Sequence, residues 1–96
     1  MPKEKFLDAV LDRKGRIFVD FTASWCPPCK AFSPTVEKLI QVGIPVYKLD
    51  VDVEPHLAAE FGVMSVPTMV LFENGQPVGS YAGVKTYDDL KKIFEE

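Results

Sequence analysis

At 96 residues the chain has room for one small domain with a single core, expected to span residues 1–96. Apolar residues make up 47% of it, enough for a packed interior but too dispersed for a membrane span, and a net charge of −3 argues against a nucleic-acid surface. The opening run Met1-Pro2-Lys3-Glu4-Lys5 is charged and carries no secretory apolar stretch, so a cytoplasmic protein with neither a membrane nor a nucleic-acid partner is expected.

Phe6, Leu7, Val10 and Leu11 recur at helical spacing, which predicts an amphipathic helix from about Lys3 to Lys14, closed by Gly15. Arg16 to Thr22 is rich in β-branched and aromatic residues and nearly all apolar, the pattern of a strand buried on both faces. Phe32, Val36, Leu39 and Ile40 then mark a helix that ends at Gly43, with Pro34 inside it as an expected kink. Ile44 to Val51 predicts a second strand, and Pro55 the first turn of a short helix that stops at Gly62. Thr68 to Phe72 predicts a third strand, and the Asn74-Gly75 turn a hairpin into a fourth near Val78 to Tyr81. Thr86 with Asp89 has the spacing of a capping box for a last helix, with Leu90, Ile93 and Phe94 facing inward. The order α-β-α-β-α-β-β-α predicts an α/β fold: a four-stranded mixed sheet flanked by helices on both faces.

Chemistry concentrates in Trp25-Cys26-Pro27-Pro28-Cys29-Lys30, which holds the chain's two cysteines at the junction of the first strand and the second helix. A thiol at a helix start meets the positive end of the macrodipole, which favours its thiolate. Cys26 is therefore the expected nucleophile and the more exposed sulfur, and Cys29, one turn on, the buried resolving thiol. The pair makes a two-electron switch. Two cysteines build no disulfide framework, and in a reducing compartment a lone CxxC is more often catalytic or metal-binding. Two cysteines and one histidine fall short of a four-ligand zinc site, so no metal is expected in the single chain, although a dimer pooling two CxxC pairs around a metal or iron–sulfur cluster is an alternative. The two prolines also remove the backbone N–H groups between the cysteines, which takes donors from the thiolate, while their rigidity favours the closed disulfide.

Asp20 is a carboxylate in an otherwise apolar strand. Burial raises its pKa toward neutrality, where it can exchange protons, and Lys48 on the adjacent strand is its expected partner; the alternative is a salt-bridged structural Asp. Trp25, directly before Cys26, is expected to lie over the site as a partly exposed contact surface. Met64 is assigned to the groove or the core, Lys30 to charge near the thiolate or to solvent, His56 to the surface, and Asp50, Asp52 and Glu54 to a solvated rim.

Phe18-Val19-Asp20-Phe21, Trp25-Cys26-x-x-Cys29-Lys30, Pro34, Lys48-Leu49-Asp50-Val51-Asp52, Val66-Pro67-Thr68 and Phe72-x-Asn74-Gly75 together resemble the thioredoxin family over nearly the whole chain, from Phe6 onward. The sequence departs from the family in carrying Pro27-Pro28 where Gly-Pro is usual, as in tryparedoxin- and nucleoredoxin-like members, and in lacking the usual strand before the first helix. The resemblance implies a protein thiol–disulfide oxidoreductase with a redox-active Cys26–Cys29 disulfide. It also implies that Asp20 takes a proton from Cys29 through a water, that Pro67 is in cis and leaves the Val66 backbone free to pair with an extended client segment, and that Gly83 lies in the loop completing the groove. Trp25, Pro27, Pro28, Val66, Pro67 and Gly83 are then the client-binding surface, and Cys26, Cys29, Asp20 and Lys48 the reacting group. No GxGxxG segment is present, so no cofactor is expected and the electrons must come from a separate reductase. A non-catalytic binding module with idle cysteines is the alternative, which the Asp20, Trp25 and Pro67 set argues against. Without a leading strand, the strand around Val46 to Leu49 is an open edge guarded by little but Pro45, which predicts a monomer that dimerises weakly or an edge covered by the N-terminal segment.

Overall fold

The structure is a computed structural model that describes residues 5–96. Among them a π-helical segment, α1 (Leu7–Leu11), precedes β1 (Arg16–Thr22), α2 (Pro27–Gln41), β2 (Val46–Asp50), α3 (Pro55–Glu60), β3 (Thr68–Glu73), β4 (Gln76–Ala82) and α4 (Tyr87–Glu95). The first helix is shorter than its apolar periodicity suggested, and residues 3 and 4 of the expected span lie outside the described residues. The chain leaves the helix before Lys14 because Gly15, at φ 84°, turns it into β1.

The strands form one sheet in the order β2-β1-β3-β4. β1 pairs parallel with β2 and antiparallel with β3, so the two strands buried along most of their length, β1 and β3, lie in the middle. β3 and β4 are joined by Asn74 and Gly75, both at positive φ, which a two-residue hairpin turn requires. Asn74 also ties the turn to the bottom of β1: its side-chain oxygen accepts from the Gly15 N–H at 2.8 Å and its own N–H donates to the Gly15 carbonyl at 2.9 Å. β2 is an edge, as expected, and among the described residues it pairs only with β1.

Alternation along β1 sorts its side chains to two faces. Ile17, Val19 and Phe21 join Phe6, Val10, Leu49, Leu57, Val70 and Phe72 on the α1/α3 side. There Phe6 and Phe61 both pack on Phe72, edge-on from Phe61 with ring centroids 5.2 Å apart. Phe18 joins Phe32, Val36, Leu39, Met69, Leu71 and Leu90 on the α2/α4 side. Asp20 continues that second row, where another apolar residue would otherwise complete the layer.

α2 runs unbroken through Pro34. Its apolar stripe of Phe32, Val36 and Leu39 is buried against the sheet, and each such side chain contributes about 1.5–3 kcal/mol. That burial outweighs the backbone bond the proline removes. At α4, Thr86 accepts from the Asp89 N–H at 3.0 Å, half of the expected capping box.

Candidate active site

The site lies where β1 ends and α2 begins. Cys26 is the N-cap of α2, and Pro27 and Pro28 fill the first turn, where a missing N–H leaves no helical bond unmade. The first donor in the helix is thus the Cys29 N–H, which points at Cys26 Sγ from 3.2 Å. The two sulfurs are joined in a disulfide, with Cα atoms 5.3 Å apart.

Cys26 is not the exposed sulfur that its helix-leading position suggested. It is 2% exposed against 7% for Cys29. As N-cap its side chain turns back under the first helical turn, and it packs with Ala23, Cys29, Val51 and Val66. Its Sγ is 3.8 Å from the Val66 carbonyl oxygen. The surface around it comes from its neighbours Trp25, Pro27 and Pro28, all exposed.

Two loops complete the front of the site. The Val66–Pro67 peptide is cis, and Thr68 Oγ1 fixes the turn by donating to the Ser65 carbonyl at 2.8 Å. Gly83, at φ 86°, donates its N–H to the Pro67 carbonyl at 2.8 Å, so the loop after β4 is bound to the cis-proline loop. Trp25 is 64% exposed, as its position suggested, but it is tethered: its indole N–H donates to Asp52 Oδ2 at 2.6 Å. With Val51, Ala58, Val63, Met64 and Val66 it lines an apolar pocket of about 180 Å³. Met64 stands fully in solvent on that rim and not in the core.

Behind the disulfide lies a second pocket of about 280 Å³, lined by Asp20, Thr22, Ser24, Cys29, Lys30, Ser33, Lys48 and Asp50 among others. Asp20, the buried polar residue of β1, forms part of its wall. Burial pushes the Asp20 carboxyl up from 3.8 to about 6, with the Lys48 cation pulling more weakly the other way. Oδ1 of Asp20 is buried and meets no donor among the described residues. Lys48 stands beside Asp20 in the parallel ladder, where the sequence placed it, yet its ion pair goes to Glu37 of α2 at 3.1 Å.

The acidic trio Asp50, Asp52 and Glu54 at the end of β2 is not uniformly a solvated rim. Asp52 is exposed and anchors Trp25, whereas Glu54, the N-cap of α3, is buried. His56 is exposed, as expected, with Nε2 3.3 Å from Glu54 Oε2 but not aligned for a hydrogen bond. Sequence reasoning also passed over Ser24, Ser33 and Glu37. Ser33 and Glu37 are separated from Cys29 by four and eight residues, a helical spacing that puts all three on one stripe of α2.

Fold and site together define a dithiol–disulfide exchange protein: a reversible bond at a helix N-terminus, a cis-proline loop in front and a buried carboxylate behind. A sequence profile described as Thioredoxin matches residues 1–96. The thioredoxin of Chlamydia muridarum is 38% identical over 96 residues, spanning 98% of this chain and 92% of that protein. A bifunctional thioredoxin reductase/thioredoxin of Mycobacterium leprae is 45% identical over 83 residues, which are 83% of this chain and 18% of that one. Among solved structures, a mutant thioredoxin from Halobacterium salinarum superposes with a TM-score of 0.86 at 40% identity, covering 93% of this chain and 80% of its own. A chain from work on thiol resolution in yeast mitochondrial 1-Cys peroxiredoxin via glutathione/thioredoxin systems gives 0.83 at 32% identity, with 99% and 88% covered. The chain belongs to the thioredoxin family and is a thiol–disulfide oxidoreductase.

Proposed function

We propose that the protein reduces disulfides in client proteins of the cytoplasm through Cys26 and Cys29, as a monomer or weak dimer, and is itself re-reduced by a thioredoxin-reductase-type donor. The observation that carries the residue assignment is the Cys29 N–H aimed at Cys26 Sγ from the N-terminus of α2. A donor in that place stabilises negative charge on Cys26 and on no other sulfur.

The Cys26 thiolate attacks one sulfur of the client disulfide, forms a Cys26–client bond and releases the first client thiolate. Cys29 then loses its proton toward the carboxylate of Asp20, with which it lines one pocket. Its thiolate attacks Cys26 Sγ, forms the Cys26–Cys29 bond and releases the second client thiolate. Two electrons pass to the client, and the next reductant restores both thiols. An Asp20 carboxyl near 6 supports this role, because it can accept a proton and return it to solvent at neutral pH. Val66 and Pro67 offer backbone to an extended client strand, beside the apolar pocket of Trp25 and Met64. The reductase named together with thioredoxin in the bifunctional Mycobacterium leprae relative supports a thioredoxin-reductase-type donor acting on this fold.

The test is insulin reduction by the pure protein with dithiothreitol, together with trapping. Cys29→Ser is expected to accumulate mixed disulfides on Cys26 from a cell extract, and Cys26→Ser to abolish turnover by at least roughly 1,000-fold. Trapping on Cys29 in a Cys26→Ser protein, with none on Cys26, would reverse the assignment. Inactivity of the wild type would favour a docking module.

A further inference from the structure

Lys48 stands beside one carboxylate in the sheet and pairs with another on α2. It neighbours Asp20 across the β1–β2 ladder, and both side chains face α2. The ion pairs among the described residues are Arg16–Glu73 and Lys48–Glu37, with His56 also close to Glu54, and none reaches Asp20. The Lys48 ammonium instead sits 3.1 Å from Glu37 Oε1, while Asp20 Oδ1 stays buried without a donor. Both Asp20 and Lys48 line the 280 Å³ pocket, so there is open space into which the ammonium can move. The side chains of Lys48 and Glu37 are 45% and 50% exposed, and a pair so well solvated stabilises the fold little.

We infer that Glu37 is a positioning residue: it holds the Lys48 ammonium at the solvent side of the pocket, away from Asp20, and so keeps Asp20 basic enough to take a proton from Cys29. Its functional meaning rests on the proton-transfer role proposed above for Asp20. The charged and titratable groups facing Asp20 are Lys48 and Asp50 from β2 and Lys30 and Cys29 from α2; on β3 its partner is the apolar Met69. Lys48 is the neighbour whose charge acts on Asp20. Released from Glu37, it can turn inward, where the burial of Asp20 strengthens the attraction between ammonium and carboxylate and makes Asp20 a weaker base.

The test is a carbon-13 titration of the Asp20 carboxyl in the reduced protein, by NMR, in four variants. Glu37→Gln is expected to lower the Asp20 midpoint by about one pH unit, Glu37→Asp to restore part of that, and Lys48→Met to raise it. In the Lys48→Met background Glu37→Gln is expected to do almost nothing, because no ammonium remains to be held. An unchanged midpoint in Glu37→Gln overturns the inference. So does an equal shift in the presence and absence of Lys48, which would assign the effect to the Glu37 charge itself. The acid limb of turnover should move with the midpoint. If the midpoint moves and the limb does not, Glu37 still positions Lys48, and it is the proton role of Asp20 that falls.

Discussion

The two faces of the sheet are built from the same central strand and have opposite designs. The α1/α3 face is closed: Val19 and Phe21 of β1 meet Phe6, Val10, Leu57 and Phe72, and the buried residues of that cluster are all apolar. The α2/α4 face starts in the same way, with Phe18 under Phe32, Val36 and Leu90, but two residues further along β1 the layer is left incomplete at Asp20. The unfilled end of that layer is the pocket behind the disulfide. One face is therefore apolar throughout its buried cluster, and the other gives up packing at a buried carboxylate. The difference teaches that the reactive region is marked less by its cysteines than by a missing piece of core.

The comparison breaks most readily by emptying the closed face. Phe72→Ala is expected to destabilise the protein by about 3–5 kcal/mol, since Phe6, Phe61 and the sheet cannot collapse into the space, and chemical denaturation measures it. A loss under about 1 kcal/mol would mean that this face is not the stabilising one.

Asp20→Asn tests the open face with the opposite sign. The folded carboxyl holds its proton more tightly than the unfolded one, with a pKa near 6 against 3.8. The native state is therefore favoured most below about pH 4, loses stability as the pH rises through 6, and carries the full cost above that. Two pH units of displacement correspond to roughly 3 kcal/mol. Asp20→Asn should thus be more stable than the wild type at pH 7 by an amount of that order and about equally stable at pH 3.5, while turning over more slowly. Unfolding curves at the two pH values, with insulin reduction alongside, check both halves; a variant of undiminished turnover would remove Asp20 from the chemistry.

Gly75→Ala sharpens the closed face at its lower rim. Gly75 sits at φ 81° with the Leu11 carbonyl in contact where a Cβ would be, so a methyl group must push α1 off the hairpin. A destabilisation of about 1–2 kcal/mol is expected, with thiol chemistry unchanged. The smallest effect belongs to Pro27→Gly, which adds one backbone N–H beside Cys26. Alkylation of the reduced protein at neutral pH should speed up by less than about threefold if donors to the thiolate dominate. Slower alkylation would show that the rigidity of the Pro-Pro pair matters more.

Much of this was legible in the residues. The bounds of β1, the two-residue hairpin at Asn74-Gly75, the Thr86 cap and the cis peptide before Pro67 all follow from local rules or from the family's motifs, because each depends on a few neighbouring side chains. Sequence also placed Lys48 beside Asp20, through strand order alone. It misplaced what depends on direction and burial. Cys26 is tucked inward because an N-cap side chain turns back on its own helix beneath the Val66 loop, which no spacing reveals. Glu54 is buried and Asp52 exposed, although they stand two apart in one acidic run.

Periodicity and turn chemistry are written along the chain, and they sufficed for the element order, the mixed sheet and the pairing of two thiols one helical turn apart. Which carboxylate holds Lys48, what Trp25 is tied to and how large a gap remains behind Cys29 are set by groups distant in sequence that meet only when helices close over the sheet. Distances and desolvation exist only after that packing. They, more than residue identity, decide how strongly Asp20 holds its proton.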